Sequence, residues 1–175
     1  MPPIRDVAVA LGSNLGNSFE CSSFAALFLK TKSQTGSFRC SPLFKTSPVG
    51  GPSNQPDFVN AVLLLRSDIP PEQFLLILQH LEHVCGRERS VSNGPRTLDL
   101  DLLWCGRERL NTSSLVLPHP RLHQRRFVLH PLTAIDPALT PPGSSLTVAE
   151  LLQNVELTGS EPAPVQLPSP HNWPG

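Results

Sequence analysis

The sequence predicts one α+β domain, in which a sheet lies between two layers of helices in a three-layer α/β/α arrangement. Three observations support this prediction: the length of 175 residues, short apolar runs rich in β-branched residues, and longer segments with apolar residues at helical spacing. A length near this one is typical of a single domain. In chain order, the segments predict β-α-β-β-α-β.

The first strand and the first helix are predicted before Gly36. Residues 7–11 are short and apolar and run into a Gly-Ser-Asn-Leu-Gly turn, which predicts a buried strand. Phe24, Leu27 and Phe28 then recur at helical spacing. We therefore expect a helix in this segment.

Two further strands, a long loop and a second helix follow. Residues 38–44 predict the second strand and residues 58–65 the third, with a Pro-, Gly-, Ser- and Asn-rich loop at 46–57 between them. Loops of this length are often functional. Residues 70–86 begin with Pro-Pro-Glu and end in Gly, which predicts a helix. The shared apolar face of this helix comprises Phe74, Leu78, Leu81 and Cys85.

Strict alternation over residues 97–104 predicts the fourth strand. This strand completes the order β-α-β-β-α-β, which is the ferredoxin-like order. Residues 125–135 and 148–152 predict short helices that flank the sheet. The predicted domain therefore has a ferredoxin-like sheet with additional helices on the outside.

The predicted domain spans residues 7–153, between an N-terminal extension at 1–6 and a Pro-rich tail at 154–175 that is expected to be disordered.

Lys plus Arg equal Asp plus Glu at 14 each, so no net charge attracts the chain to nucleic acid or to a membrane. The start of the chain carries neither a signal peptide nor a membrane span. The four cysteines lack CxxC spacing, so reduced thiols are expected. We expect a cytoplasmic monomer.

Two carboxylates alternate with leucines in the fourth strand. Side chains two residues apart on a strand point to the same face, so Asp99 and Asp101 stand together. Leu98, Leu100 and Leu102 point the other way, into the core. Holding two ionised carboxylates this close requires a cation, which suits one or two Mg²⁺ bound through oxygen ligands and substrate phosphates. The alternative is an exposed strand face with two solvated acids.

Three arginines precede the acidic pair. Arg87, Arg89 and Arg96 lie on a polar loop and at the entrance of the strand. Guanidinium groups bind phosphate oxygens, so arginines beside a metal-binding pair indicate a polyphosphate ligand. Alternatively, one or two of them pair with Glu82 or Glu88.

A second cationic stretch at residues 118–127 combines His and Arg and ends at Phe127. His119 and His123 have HxxxH spacing, which two zinc ligands on one helix would share. Pro120 argues against a common helical face, and no acidic third ligand lies nearby. Zinc is therefore not expected, and the stretch predicts a second cationic wall.

Four segments occur in the order and at the separations of a known family. They are Leu-Gly-Ser-Asn-Leu-Gly at 11–16, Gln-Pro-Asp-Phe-Val-Asn at 55–60, Gly-Pro-Arg-Thr-Leu-Asp-Leu-Asp at 94–101 and Pro-His-Pro-Arg at 118–121. The chain resembles the 6-hydroxymethyl-7,8-dihydropterin pyrophosphokinase family. The resemblance implies a ferredoxin-like fold, ATP as cosubstrate, Mg²⁺ as cofactor, and pyrophosphate transfer from ATP to the pterin in folate biosynthesis, with AMP as the second product.

The resemblance also implies residue roles, carried over by position. Asp99 and Asp101 match the ligands of two Mg²⁺, and Arg87 and Arg89 match mobile-loop arginines that close over the triphosphate. The implied catalytic residues are Arg87, Arg89, Arg96, Asp99 and Asp101. The residues implied at the ATP site are Gln79, Glu82, Arg89, Arg96, Leu102, Ser114, Leu115, Val116, His119 and Arg125.

The same carry-over implies a pterin site. Thr46, Val49 and Asn60 would contact a pterin ring that lies between Phe58 and Phe127. Two aromatic rings grip a flat heterocycle, and an amide side chain can both donate to and accept from its polar edge. Without this resemblance, each phenylalanine would be interpreted as an ordinary core residue.

Two other functions fit parts of the sequence. A nucleotidyl-transferring palm also holds two Mg²⁺ on paired strand aspartates, but it needs a basic nucleic-acid track, which the balanced charge argues against. A catalytically silent module that senses nucleotide or pterin would not need these acids and arginines together. We therefore expect an enzyme whose partners are the small molecules ATP and hydroxymethyl-dihydropterin.

Overall fold

The computed structural model of the chain describes residues 1–87 and 96–175. Within these ranges the strands are β1 (Arg5–Ser13), β2 (Arg39–Cys40), β3 (Phe44–Thr46), β4 (Phe58–Ser67), β5 (Asp99–Cys105), β6 (Leu110–Asn111), β7 (Val116–Leu117) and β8 (Val165–Gln166). The α-helices are α1 (Ser18–Thr31), α2 (Pro71–Val84), α3 (Arg126–Ile135) and α4 (Val148–Thr158). β1 begins inside the predicted N-terminal extension, and the predicted second strand is divided into β2 and β3. No described helix has the length and apolar character needed to cross a bilayer.

The main sheet is antiparallel and aligns several candidate residues in adjacent strands. Its strand order is β5-β1-β4-β3-β8, and β2 also pairs with β4. Gly12 of β1 lies opposite both Asn60 of β4 and Asp99 of β5. Ala10 lies opposite Asp101. One end of the sheet therefore collects an amide, two carboxylates and a glycine, while β6 and β7 form a separate hairpin.

The side chains of β1 divide the interior into two cores, one on each face of the sheet. Val7, Val9 and Leu11 face one core, and Ala8 and Ala10 face the other, because successive strand side chains point to opposite faces. Helices α1 and α2 contribute to the first core, and α3 and α4 contribute to the second. Helices therefore cover both faces of the sheet.

The helix predicted from the spacing of Phe24, Leu27 and Phe28 is confirmed as α1. Phe24 and Leu27 are 46% and 43% exposed, whereas Ala25, Ala26 and Leu29 are fully buried. Small alanines therefore form much of the surface that packs on the sheet. In α2 the predicted face is confirmed. Its fully buried members are Phe74, Leu78 and Leu81.

The C-terminal segment corrects the expectation that residues 154–175 are disordered. Helix α4 extends into this range, β8 pairs with β3, and Trp173 is 6% exposed. The indole Nε1 of Trp173 donates to the backbone oxygen of Ser41 at 2.9 Å. Although the segment is rich in proline, it holds apolar side chains that join the core, chiefly Trp173 and Leu167.

Candidate active site

A cavity of about 320 Å³ opens where β1, β4 and β5 meet the segment after β3 and the start of α3. The predicted site residues that line it are Thr46, Val49, Phe58, Asn60, Arg96, Asp99, Asp101, Arg125 and Phe127. Gly12, Ser47, Gly50 and Arg121 line it as well. A volume of this size is within the range of small-molecule sites. The fold thus brings residues predicted for two different ligands to one cavity.

The acidic pair stands on one face of β5, as the alternation predicted. Leu98, Leu100 and Leu102 are 0%, 5% and 4% exposed and belong to the core under α1 and α2. Asp99 and Asp101 face the opposite way, toward the cavity, with 25% and 31% of their side chains exposed. The register predicted for this strand is therefore confirmed, and both carboxylates are accessible from the cavity.

Three arginines neutralise these carboxylates. We name the group the acid–arginine cluster, and its members are Arg87, Arg96, Asp99, Asp101 and Arg125. Asp99 Oδ1 accepts from Nη1 of Arg87 at 2.6 Å, and its Oδ2 accepts from Nη1 of Arg96 at 2.8 Å. Asp101 Oδ2 accepts from Nη1 of Arg125 at 2.9 Å. Such charge-assisted bonds are stronger than neutral ones, so an anionic ligand must replace or share these carboxylate partners.

Glu82 of α2 supports the cluster from the core side. Its side chain is buried, and its Oε1 accepts from the backbone N of Leu100 at 2.8 Å and from Nη1 of Arg87. A buried carboxylate needs such partners because removal from water penalises its charged form. The alternative in which Arg87 pairs with Glu82 is thus realised, but the same guanidinium group also contacts Asp99.

The other side of the cavity is mainly apolar. We name it the aromatic wall, and its members are Thr46, Phe58, Asn60 and Phe127. Asn60 is 5% exposed and donates through Nδ2 to Oγ1 of Thr46. The guanidinium group of Arg96 lies 5.4 Å from the ring centroid of Phe58, and that of Arg125 lies 5.3 Å from the ring of Phe127. Each ring therefore adjoins the acid–arginine cluster.

Several residues predicted for the ATP site do not line this cavity. Leu102 and Leu115 are buried in the core. Gln79 is exposed on α2, and Ser114 and Val116 are exposed at the β6–β7 hairpin. The hairpin contacts β5, the strand of Asp99 and Asp101, through β7, which includes Val116. Arg89 lies outside the described residues.

His119 approaches the cluster from the segment after β7. Its backbone N donates to the oxygen of Leu103 at 2.7 Å, and its Nδ1 accepts from the backbone N of Arg121 at 3.1 Å. Burial lowers the pKa of the imidazole below 6.5, and Arg125 lowers it further, while Asp101 acts to raise it. His119 is therefore mainly neutral at pH 7 and contributes a polar ring rather than a charge.

Gly12 and Asn14 belong to the site, although the sequence pattern had assigned them no role. A Cβ on Gly12 would lie 3.0 Å from Oδ1 of Asn60, so a larger residue requires the amide to shift. Asn14 is 5% exposed; its Oδ1 accepts from the backbone N of Arg96, and its Nδ2 donates to the oxygen of Pro56, both at 3.0 Å. Both residues belong to the Gly-Ser-Asn-Leu-Gly segment that follows the first predicted strand, and this segment is the sequence feature that could have indicated them.

The donor set of the cavity fits a magnesium ion better than a structural zinc ion. Asp99 and Asp101 offer only carboxylate oxygens, and among residues 1–87 and 96–175 no group of three or more His, Cys, Asp or Glu could hold a metal. Structural zinc needs a closed set of four ligands. Mg²⁺ is often held by one or two carboxylates, with water and phosphate oxygens completing its shell.

Comparisons with known proteins place the chain in a family. A family model described as 7,8-dihydro-6-hydroxymethylpterin-pyrophosphokinase matches residues 8–137. The Pseudomonas aeruginosa 2-amino-4-hydroxy-6-hydroxymethyldihydropteridine pyrophosphokinase is 40% identical over 162 residues, which cover 92% of this chain and 98% of that protein. A Synechocystis protein with the same name is 36% identical over 88% of this chain and 78% of its own length.

Longer relatives contain a similar region. The Pneumocystis carinii folic acid synthesis protein fol1 is 36% identical over 85% of this chain but over only 20% of its own length. A Plasmodium falciparum HPPK-DHPS structure with pteroate has a TM-score of 0.65 at 13% identity and covers 87% of this chain and 43% of that one. This second likeness concerns the fold alone. Together with the family match over most of the chain, these comparisons show that the chain belongs to the 7,8-dihydro-6-hydroxymethylpterin-pyrophosphokinase family.

Proposed function

We propose that this chain transfers pyrophosphate from ATP to 6-hydroxymethyl-7,8-dihydropterin, giving AMP and the pterin pyrophosphate in folate biosynthesis. The observation that carries the proposal is one cavity of about 320 Å³ that joins the acid–arginine cluster to the aromatic wall. A polyphosphate donor and a flat acceptor can react only where their two sites meet. Family membership supports the same reaction.

The aromatic wall would bind the pterin. Phe58 and Phe127 offer ring faces to a planar heterocycle, and such stacking adds affinity beyond the buried area. Asn60 carries both a donor and an acceptor for the polar edge of the ring. Its contact with Thr46 fixes the amide before the ligand arrives, and Val49 would close the apolar side.

The acid–arginine cluster would bind the triphosphate. Arg96 and Arg125 line the cavity and stand beside both the carboxylates and the rings, so their guanidinium groups can reach phosphate oxygens next to the acceptor. Arg87 and, by resemblance, Arg89 would close over the nucleotide. The remaining ATP contacts are proposed for Gln79, Glu82, Leu102, Ser114, Leu115, Val116 and His119.

Asp99 and Asp101 would hold two Mg²⁺. When bound, such ions neutralise phosphate charge and acidify a coordinated hydroxyl. In the reaction, the hydroxymethyl oxygen of the pterin attacks the β-phosphorus of ATP, and its proton is released to solvent. The bond between that phosphorus and the oxygen bridging to the α-phosphate breaks, and AMP leaves with the electron pair. Arg96 and Arg125 stabilise the charge that develops on the phosphates, and no side chain is required as a nucleophile.

The finer structural and cellular assignments belong to the same proposal. The antiparallel strand order β5-β1-β4-β3 supports a ferredoxin-like topology. All of the residues proposed to contact ATP or the pterin lie within residues 7–153. The equal numbers of acidic and basic residues support small-molecule substrates rather than nucleic acid or membrane partners. A cytoplasmic location and a monomeric state belong to the same proposal.

A coupled assay of AMP formation tests this proposal. With MgATP and 6-hydroxymethyl-7,8-dihydropterin, the purified protein should release AMP, and omission of the pterin should abolish the release. Pterin binding without AMP would instead support a silent binding module. A salt-sensitive mobility shift of DNA or RNA, again without pterin-dependent AMP, would support a nucleotidyl-transferring palm.

A further inference from the structure

We propose that the C-terminal segment, residues 161–175, positions the pterin side of the cavity, and that Trp173 is its main positioning residue. We name this segment the C-terminal strap. The inference rests on the proposed function, because it assigns to the strap the geometry of the pterin site. It predicts that changes in the strap weaken pterin binding while nucleotide binding is maintained.

Strand β8 of the strap pairs with β3, the strand that carries Thr46. Strand β3 is only three residues long, and β4 pairs with one of its edges, with Thr46 opposite Phe58 and Phe44 opposite Asn60. β8 occupies the other edge, and the backbone N of Leu167 donates to the oxygen of Leu43 at 2.8 Å. A three-residue edge strand has little pairing of its own, so β8 restricts its movement.

Trp173 fixes the start of the same strand region. Its ring is 6% exposed within the core beneath α1 and α2, and its Nε1 donates to the oxygen of Ser41, between β2 and β3. The neighbouring Asn172 accepts from Oγ of Ser23 on α1 at 3.3 Å. The strap therefore connects the segment that leads to Thr46 with helix α1.

The other end of the strap is attached beside the second ring. Nη1 of Arg126 donates to the backbone oxygen of Glu161. Arg126 is the first residue of α3 and directly precedes Phe127. The strap thus connects the segment that bears Phe127 to the strand that bears Thr46, which are the two sides between which a pterin ring would lie.

The described polar contacts of the strap are with Ser23, Ser41, Leu43 and Arg126 and, through the pairing of β8, with β3. These partners lie on the pterin side of the cavity or in the core, not in the acid–arginine cluster. A strap that only added general stability would affect both ligands alike. A strap that sets the spacing of the aromatic wall would affect the pterin selectively, because positioning errors weaken the contacts that depend on them.

Full-length variants test the inference. Trp173→Phe keeps a buried ring but removes the hydrogen bond to Ser41, and Leu167→Pro removes the backbone donor to Leu43. Leu167→Ala is the matched control, because it shortens the side chain and keeps the donor. His171→Ala alters an exposed position of the same segment. Pterin affinity is measured by fluorescence titration and nucleotide affinity by calorimetry with a non-hydrolysable ATP analogue, at a temperature where circular dichroism shows every variant folded.

Trp173→Phe and Leu167→Pro should each raise the pterin Kd by about fivefold, the scale for loss of one positioned hydrogen bond. The nucleotide Kd should stay within about twofold, and the pterin Kd of Leu167→Ala and His171→Ala should stay near that of the unaltered protein. An unchanged pterin Kd in both test variants, or an equal loss for both ligands, overturns the inference. If the unaltered protein releases no pterin-dependent AMP, the proposed function itself is wrong.

Discussion

The acid–arginine cluster and the aromatic wall border the same cavity but are stabilised in opposite ways. In the cluster, both oxygens of Asp99 and one oxygen of Asp101 already accept from arginines. The aromatic wall presents ring faces and one short amide contact, between Asn60 and Thr46. A ligand that enters the cluster must exchange ion pairs, whereas a ligand that enters the wall displaces mainly water.

This difference predicts separate roles in the reaction. Ion pairs that rearrange around moving charge contribute most in the transition state, so changes in the cluster should lower turnover. A wall that is formed before the ligand arrives binds the ground state and the transition state alike, so changes there should alter substrate affinity. Variants in each group can test this division, from the largest expected effect to the smallest.

Asp101→Ala should produce the largest effect. Loss of this carboxylate removes a proposed Mg²⁺ ligand and the partner of Arg125, so turnover in the AMP assay should fall by about a hundredfold or more. Pterin affinity should remain within about threefold of the unaltered protein. The matched control is Asp6→Ala, whose carboxylate is 81% exposed and pairs with Arg66 at the surface. Near-normal turnover of Asp101→Ala would end the proposed division of roles.

Gly12→Ala should affect the aromatic wall. The added methyl group would lie 3.0 Å from Oδ1 of Asn60, and overpacking of this kind costs about 1–3 kcal/mol. The pterin Kd should rise by about tenfold, while the nucleotide Kd stays nearly constant. The same substitution placed in an Asn60→Ala background should have a much smaller effect. Equal effects in both backgrounds would show that Gly12 does not act through the amide.

The sequence predicted the cluster better than the wall for a physical reason. Strand alternation alone fixed the direction of Asp99 and Asp101, because adjacent side chains on a strand must point to opposite faces. Gly12 and Asn60 are 48 positions apart and meet only through the pairing of β1 with β4. Phe58 and Phe127 lie on different elements, so the pattern along either segment could not reveal their common cavity.

Two features of the fold could not be predicted from local sequence. The apolar residues of α1 predicted the helix correctly, but they do not reveal that alanines form its buried face, since the space available there depends on the strands beneath. The composition of the C-terminal strap predicted disorder, because part of the chain's 20 prolines lies in this segment. Trp173 and β8 help to attach it, and neither their partners nor their register can be inferred from local sequence.

Phe127→Leu should have a smaller effect than Gly12→Ala and in the same direction. Leucine retains apolar volume but loses the ring face, and aromatic pairing contributes about 0.5–1.5 kcal/mol beyond area. The pterin Kd should therefore rise by roughly fivefold, with turnover at saturating pterin almost unchanged. Phe58→Tyr, which keeps a ring on the opposite side, is the control. A fall in turnover without a change in pterin affinity would assign Phe127 to the cluster, through the nearby Arg125.

Glu150→Gln should give the reverse of the Asp101→Ala pattern, with lower stability and normal turnover. Glu150 caps α4, where it accepts from the backbone N and Oγ1 of Thr147 at 2.8 and 2.9 Å. These bonds lower the pKa of Glu150 below 4.5. A lowered folded-state pKa stabilises the protein above about pH 4.5, and this contribution is lost as the pH falls through the folded-state pKa. Calorimetry should show Tm lower by about 1 °C at pH 7 and a smaller difference at pH 3. A loss of turnover would mean that carboxylates outside the cavity also affect catalysis, and the cluster would no longer be distinct.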